Sequence, residues 1–150
     1  MSAARGADLH AAVIRDHFLH PRHRGALDGP AATGHAHNAH CGDTVRISVR
    51  VEDGVLAEVA FDGRGCTISQ AAASMVAKVV AGRPTDSVAA LRSAFTEGLA
   101  SDAPELPEAL GDLRALVGVR RFPSRVRCAV LPFEALAAAL KEETICNDNR

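Results

Sequence analysis

The chain is poor in aromatic residues. Among its 150 residues there are five phenylalanines and no tyrosine or tryptophan. Surfaces that bind single-stranded nucleic acid stack bases on exposed aromatic side chains, and the sequence offers no such set. The formal net charge is only −1, so no broad attraction to nucleic acid or to a membrane surface is expected. The composition therefore predicts a protein without a nucleic-acid partner.

Long apolar runs are also missing. No run approaches the roughly 20 residues that a membrane-spanning helix needs. Polar residues interrupt the first 18 positions where a signal peptide would have its apolar core: Asp8, His10, Arg15 and Asp16. A hydrophobic content of 47% and a charged content of 23% suit a globular protein. We therefore expect a cytoplasmic protein with no membrane partner, and a single domain over residues 1–150.

Cysteines are few and widely spaced, at Cys41, Cys66, Cys128 and Cys146. In the cytoplasm they should stay reduced. Scattered cytosolic cysteines that converge in space are more often metal-binding or catalytic than disulfide-forming. Cys146 lies in the polar segment ETICNDNR, and residues 142–150 are expected to form a flexible tail without function. The fold decides whether the other three converge.

Two stretches of alternating apolar residues predict a β-hairpin. Residues 44–52 and 55–62 are joined by Asp53-Gly54, the strongest short-range hairpin signal. A short edge strand is expected near residues 33–37, which extends the hairpin to three strands. The predicted apolar face comprises Val45, Ile47, Val49 and Val51 on one strand and Val55, Ala57, Val59 and Phe61 on the other.

Apolar residues at helical spacing predict several helices around this sheet. The best defined begins at Cys66, after two loop glycines, and has Thr67 or Ser69 as its N-cap. Other helices are expected over residues 8–19, from Thr85, over residues 106–117 as far as Gly118, after Pro123 with Ser124 as N-cap, and from Pro132. The predicted fold class is α+β: an antiparallel three-stranded sheet with helices packed on one face and a metal site at one end of the sheet.

The hairpin brings candidate ligands together. Cys41 precedes its first strand and Cys66 follows its second, so antiparallel pairing places both at one end. Asp43 is two residues from Cys41 and projects to the same side of extended backbone. Cys66 alone is as compatible with a small buried side chain as with a ligand or nucleophile.

Cys128 falls about one turn into the helix predicted after Pro123. Four arginines lie close to it in sequence: Arg120, Arg121, Arg125 and Arg127. They form either an ordinary basic surface or a cluster that offsets the negative charge of several thiolates.

Two histidine-rich stretches leave alternatives open. His35 and His37 alternate on the predicted edge strand and His40 lies just before Cys41. Alternating histidines can bind a metal, but surface histidines are commoner and no second cluster completes a site, so His40 is interpreted as a neighbour of the site. The basic turn of residues 20–25 is either a solvated loop or a docking patch for an acidic partner.

Four motifs resemble those of the U-type iron–sulfur cluster assembly proteins. The resemblance covers nearly the whole chain, in the same order and spacing. The motifs are Asp16–Phe18 with His20–Gly25 (D-H-[YF]-x-N-P-R-N-x-G), Asn38–Asp43 (N-P-x-C-G-D), Gly63–Ser69 (G-x-G-C-x-I-S) and Arg125–Ala129 (R-x-K-C-A).

Two features resemble the SufU branch of this family. Arg127 stands immediately before Cys128, where IscU-type relatives have a histidine, and the long segment of residues 83–119 is similar to the extra stretch of SufU-type proteins. The chain departs from the pattern at His20 and His23, which replace asparagines, and at Ala39, which replaces a proline. These positions flank the ligands and concern the partner surface.

The resemblance implies that Cys41, Asp43, Cys66 and Cys128 bind one metal ion. Three thiolates and a carboxylate suit Zn²⁺, and thiolates also suit iron or a [2Fe–2S] cluster. Arg64, Arg125 or Arg127 would then offset the charge of the site.

For the SufU branch, the implied activity is sulfurtransferase-like. The protein would accept persulfide sulfur from a cysteine desulfurase of the SufS type and serve downstream iron–sulfur assembly proteins. Cys41 is the expected sulfur acceptor, because its glycine-flexible loop lets it leave the metal most easily. Two alternatives stay open: a scaffold for a transient [2Fe–2S] cluster, and an adaptor module with structural zinc.

Overall fold

Three strands and four α-helices make up the part of the chain that the computed structural model describes, residues 3–148, with side chains described for residues 6–145. In chain order the elements are α1 (Ala3–Leu19), β1 (Ala32–Asn38), β2 (Asp43–Glu52), β3 (Val55–Arg64), α2 (Thr67–Val80), a 3₁₀ turn (Thr85–Ser87), α3 (Val88–Ala100), a 3₁₀ segment (Glu108–Arg121) and α4 (Pro123–Asp148). None of the described helices combines the length and apolar character needed to cross a bilayer.

The sheet is antiparallel with strand order β1-β2-β3. Asp53 and Gly54 join β2 to β3 with φ values of 52° and 75°. Positive φ at both central residues matches the right-handed twist of the strands and is the reason Asp-Gly is favoured in two-residue hairpins. The prediction of this hairpin and of the three-stranded sheet is confirmed, and β1 is two residues longer than expected.

A bulge in the hairpin changes the predicted apolar face. Arg50 pairs with Glu58 but Val51 pairs with Leu56, so Ala57 is an extra residue on β3. An extra residue puts the positions on its two sides out of phase with simple alternation. Leu56 is therefore buried and Ala57 exposed, opposite to the prediction, whereas Val59 and Phe61 keep their expected burial.

Helices cover one face of the sheet, as predicted. Val45, Ile47 and Val49 of β2 are essentially inaccessible beneath them. Helix α4 lies directly on β1 at Gly34, where a Cβ atom would come within 2.1 Å of the Ala135 carbonyl oxygen. Only glycine permits this contact between backbones, because any side chain would have to occupy the same space.

Helix α4 is a single helix that is longer than predicted. Pro132 was expected to begin a helix, but α4 is continuous from Pro123 to Asp148 with Pro132 inside it. Residues 142–148, expected to belong to a flexible tail, continue the same helix, since no glycine or proline follows Pro132 to end it. The side chain of Cys146 and residues 149–150 lie outside the described residues.

The segment before α4 is a 3₁₀ helix and not the α-helix predicted up to Gly118. It runs to Arg121 and is kinked at Gly111, which has φ 54° and ψ −131°. A 3₁₀ helix has three residues per turn, so its buried stripe recurs at every third position. That stripe is Leu110, Leu113, Leu116 and Val119, and Val117, expected in the core, is only half-buried.

Two other helices differ from prediction. Thr85 was expected to cap a helix, but it begins the short 3₁₀ turn, and α3 follows from Val88. Helix α1 buries His17, while its apolar residues Leu9 and Phe18 are 58% and 40% exposed. The histidine is accepted in the interior because both of its ring nitrogens have partners, described below.

The basic turn after α1 has a structural role. Gly25 N–H donates to the Phe61 carbonyl oxygen (2.8 Å), and Phe61 N–H donates to that of His23 (2.9 Å). These bonds continue the sheet beyond β3 and cover its edge, which would otherwise expose unpaired backbone groups. The sequence suggested either a solvated loop or a docking patch for an acidic partner, and neither interpretation included this backbone pairing.

Candidate metal centre

Three predicted ligands converge at one end of the sheet. The ligand atoms of Cys41, Asp43 and Cys128 all lie within 4.8 Å of one another, and the sulfur atoms of Cys41 and Cys128 are 3.5 Å apart. Cys41 comes from the loop between β1 and β2, Asp43 begins β2, and Cys128 lies in the second turn of α4. Cys41 and Asp43 are neighbours in the chain, and the packing of α4 on β1 brings Cys128 to them.

Cys66 contacts the same group through Asp43. Its Sγ lies 3.5 Å from Asp43 Oδ2, and its backbone N–H donates to Oδ1 at 2.7 Å. Cys66 is itself the N-cap of α2, since its sulfur accepts the N–H of Ser69. The prediction of Thr67 or Ser69 as the cap was therefore wrong. The Ser69 hydroxyl donates to the Cys66 carbonyl oxygen instead.

The thiols differ in their exposure. Cys41 is exposed, Cys66 is half-buried and Cys128 is buried. Burial raises the pKa of the Cys128 thiol above its ordinary value, and its hydrogen bonds with Asp43 and with Cys41 raise the pKa further. Cys128 is therefore held as a neutral thiol, and a cation bound to its sulfur would have to displace that proton. Cys41 is the most exposed of the three thiols and the most accessible to a partner.

Asn38 was not expected at the centre. Its Nδ2 donates to Cys128 Sγ at 3.6 Å, and its Oδ1 accepts the backbone N–H of His40. The residue is 2% exposed and pairs directly with Asp43 in the sheet register. The predicted edge strand ended at residue 37. One more residue of strand would have paired Asn38 with Asp43 and so placed it at the centre.

Gly65 leaves room for Asp43. A Cβ atom at position 65 would lie 2.1 Å from Asp43 Oδ1 and 2.8 Å from its Cα. The glycine before Cys66 is therefore required for the buried carboxylate to reach both the Cys66 N–H and the neighbouring sulfurs. This close approach explains why the loop before α2 is rich in glycine.

The donor set fits a soft or borderline metal. Three sulfurs and one carboxylate oxygen are the ligand types found around Zn²⁺ and in iron–sulfur proteins. Ligand atoms are also supported from behind, Asp43 by the Cys66 N–H and Cys128 by the Asn38 amide, as is common at protein metal sites. The use of Cys41, Asp43, Cys66 and Cys128 as a ligand set stays a prediction.

The arginines near Cys128 take different positions. Arg120 points away from the centre, with its guanidinium donating to the carbonyl oxygens of Ala103 (2.5 Å) and Gly98 (2.8 Å). Arg64, Arg125 and Arg127 are exposed. Arg120 therefore fastens the 3₁₀ segment to the end of α3, and an electrostatic role at the centre remains a prediction for the other three.

Comparison with known proteins identifies the family of this chain. Residues 9–142 match the family described as the NifU-like N-terminal domain. The chain belongs to this family. A member from Streptococcus pyogenes serotype M1, the iron–sulfur cluster assembly scaffold protein IscU, is 35% identical over 141 residues, which are 94% of this chain and 88% of the relative.

Two further matches are a relative from the SufU branch and a solved structure. The zinc-dependent sulfurtransferase SufU of Bacillus subtilis (strain 168) is 31% identical over 135 residues, 90% of this chain and 91% of the relative. The crystal structure of a NifU-like protein (N-terminal) from Brucella abortus has a TM-score of 0.80 at 26% identity, covering 89% of this chain and 92% of that one. The predicted family and fold class are confirmed.

Proposed function

We propose that this NifU-like chain is a zinc-dependent sulfur acceptor in iron–sulfur cluster biogenesis. Its donor would be a cysteine desulfurase of the SufS type, and its product would be a persulfide on Cys41, passed on to downstream iron–sulfur assembly proteins. The likeness to the SufU of Bacillus subtilis supports the choice of this branch. We place the protein in the cytoplasm with its partners.

The observation that carries this proposal is the asymmetry of the thiols. Cys41 is exposed, on a loop where the following Gly42 has φ 68° and no atom within 4 Å of a built Cβ. Cys128 is buried, and Cys66 is held by the cap of α2 and the Asp43 carboxylate. One thiol can therefore move out to a partner while the other two stay in place.

The chemical step is a thiol exchange. The Cys41 thiolate attacks the outer sulfur of the desulfurase persulfide, and a new S–S bond forms on Cys41 as the bond to the desulfurase cysteine breaks. The desulfurase cysteine leaves as a thiolate, and the transferred sulfur keeps the proton it carried. No external oxidant or reductant is consumed.

Zinc would be held by Cys41, Asp43, Cys66 and Cys128. When bound, Zn²⁺ keeps coordinated thiols in the thiolate form at neutral pH. Asp43 supplies the oxygen ligand from a buried position, fixed by the Cys66 N–H at 2.7 Å. The chain itself therefore provides both the reactive thiol and the fixed residues that would keep the metal in place when that thiol leaves it.

A scaffold for a transient [2Fe–2S] cluster is the second candidate function. The 35% identity to the IscU of Streptococcus pyogenes favours it, and the same cysteines would hold the cluster. An adaptor with structural zinc is the remaining alternative. It would use the same ligands, but it would have no need for the exposed thiol of Cys41.

The test combines metal analysis with a desulfurase assay. The purified zinc-loaded chain is added to a SufS-type desulfurase with free cysteine, and alanine formation is measured together with the intact mass of the chain. We expect faster alanine formation and a mass gain of one sulfur atom on wild type. Both should be lost in Cys41→Ser and kept in the control Cys146→Ser.

Each alternative has a distinct outcome. Persulfide on Cys41→Ser at the wild-type rate would contradict Cys41 as the acceptor. A purified protein with visible absorption bands and iron and sulfide in place of zinc would favour the scaffold. One zinc per chain without any stimulation of the desulfurase would favour the structural adaptor.

A further inference from the structure

Two histidines project from the face of the sheet that the helices do not cover. His35 and His37 are both exposed on β1, two residues apart, so they point to the same side of the strand. In the sheet register His35 lies opposite Arg46 and His37 opposite Thr44. The alternate positions of the strand face the helices, and Gly34 is in contact with α4.

Both imidazoles are free to bind a ligand. Neither forms a hydrogen bond or an ion pair with another residue in the described part of the chain. They border a shallow cavity of about 360 Å³, whose lining also includes Thr44, Arg46 and Asp62. The contrast with His17 is clear, because both ring nitrogens of that buried histidine are engaged with Ser74 and Asp112.

We propose that His35 and His37 form a second metal site, specific for first-row divalent ions such as Zn²⁺, Ni²⁺ and Cu²⁺. Imidazole nitrogen is a preferred ligand of these ions, at about 2.0–2.1 Å for zinc. Residues i and i+2 of a strand are about 6.6–6.8 Å apart along the backbone, which lets the two rings converge on one ion. Within the described residues no third donor joins them, so water fills the other positions.

The nearest arginine does not prevent a cation from binding here. Arg46 lies opposite His35, but its guanidinium points toward β3 and is 3.6 Å from the Asp62 carboxylate. Arg24 lies against the same carboxylate, 3.8 Å away. Asp62 therefore attracts both positive charges toward β3, and His37, opposite the neutral Thr44, is the ring farther from them.

This site is separate from the thiol centre. His37 and Asn38 are neighbours on β1, but Asn38 is buried beside Cys128 whereas His37 faces solvent. The two sites therefore lie at the same end of the sheet on opposite faces. The inference does not depend on the proposed function, since it concerns residues outside the thiol centre.

The test is a Ni²⁺ titration of the untagged, zinc-loaded chain by calorimetry, with zinc content measured before and after. We expect one Ni²⁺ per chain bound without loss of zinc. His35→Thr or His37→Thr should each lower the Ni²⁺ affinity about tenfold or more, because the second imidazole then no longer adds an intramolecular contact. The double variant should remove the binding. Threonine suits an exposed strand position, and circular dichroism verifies the fold.

The matched control is the double variant His20→Asn with His23→Asn, which removes two other exposed histidines that are not paired on a strand. It should bind Ni²⁺ as wild type does. Unchanged affinity in the His35/His37 double variant, loss of binding in the control, or Ni²⁺ uptake only as zinc is released would each overturn the proposal.

Discussion

Cys66 links the glycine loop, helix α2 and the candidate metal centre. Its sulfur accepts the Ser69 N–H, its own N–H donates to Asp43, and its carbonyl oxygen accepts the Ser69 hydroxyl. These contacts fix the position of Cys66, whereas Cys41 is exposed on its loop.

At the residue scale, Gly65→Ala should damage the centre. The new methyl group would lie 2.1 Å from Asp43 Oδ1 at a φ of 147°, so the carboxylate must move away from Cys66. We expect a loss on the order of 3 kcal/mol in the free energy of unfolding, together with weaker zinc binding, measured by thermal unfolding and chelator competition.

Gly82→Ala is the matched control for that variant. It has φ 80° and no atom within 4 Å of the added methyl group, so it tests backbone conformation without a clash. A loss of about 1 kcal/mol with unchanged zinc affinity is expected. Equal effects of the two substitutions would contradict the steric explanation.

Asn38→Leu should weaken the centre without touching a ligand. The substitution removes the amide that donates to Cys128 Sγ and keeps a side chain of similar size. We expect zinc affinity to fall about 10–100-fold, as for other partners of metal ligands. Competition with a zinc chelator measures this change, and Ser48→Ala on the open face of the sheet serves as control. Wild-type affinity in Asn38→Leu would show that the amide has no influence on the metal.

At the scale of elements, the position of Pro132 in α4 has a direct link to Cys128. A proline inside a helix has no N–H for the carbonyl four residues earlier and its ring crowds that carbonyl. The residue four positions before Pro132 is Cys128. The turn that carries this ligand therefore lacks one helical hydrogen bond to the rest of α4.

Pro132→Ala should consequently stabilise the chain. Restoring the bond and removing the clash contributes roughly 3 kcal/mol, and losing two buried ring carbons costs about 1.6 kcal/mol. A net gain of about 1 kcal/mol is expected in urea unfolding. Pro123→Ala is the matched control, because a proline at the first position of a helix is favourable; it should leave stability unchanged or lower it. A stability loss in Pro132→Ala would mean that ring packing outweighs the missing bond.

At the scale of the whole molecule, one buried histidine connects three distant segments. His17 Nδ1 lies 2.7 Å from Ser74 Oγ, and Nε2 lies 2.8 Å from Asp112 Oδ2. The Ser74 hydroxyl oxygen also accepts the Arg22 N–H. Helices α1 and α2 and the 3₁₀ segment are thereby fastened together. The buried Ser74 is not available as a nucleophile.

This connection should make stability depend on pH. The hydrogen bond from His17, followed by that from Lys78, holds the pKa of Asp112 below its ordinary value. A carboxyl with a lowered native pKa stabilises the fold at pH values above its unfolded pKa, and this contribution disappears as the pH falls through the native pKa. Asp112→Asn should lower the free energy of unfolding by about 1 kcal/mol near neutral pH.

The difference from wild type should shrink as the pH falls below about 4. Urea unfolding at a series of pH values measures it. Asp86→Asn provides the control, because Asp86 is exposed and has no ion pair within the described part of the chain. A difference between wild type and Asp112→Asn that is constant down to pH 3 would contradict the assignment.

Much of the sheet and the family could be predicted because their signals are local. Alternating side chains and Asp53-Gly54 specify the hairpin by the pleat of a strand and the sign of φ in its turn. The bulge at Ala57 escaped prediction because it follows from how β3 pairs with β2. The 3₁₀ stripe from Leu110 to Val119 was misread for a similar reason, since apolar residues at every third position also fit a helical pattern.

Sequence by itself, through the resemblance, predicted the donor types at the centre as three thiols and a carboxylate, and the hairpin pattern predicted that Cys41 lies near Cys66. Only the tertiary structure decided which thiol is exposed, since the burial of Cys128 depends on α4 lying across β1 at Gly34. It also decided that Asn38 supports Cys128 and that His17 lies inside. These outcomes depend on contacts between residues 57 to 95 positions apart, and such contacts leave no periodic signal along a chain.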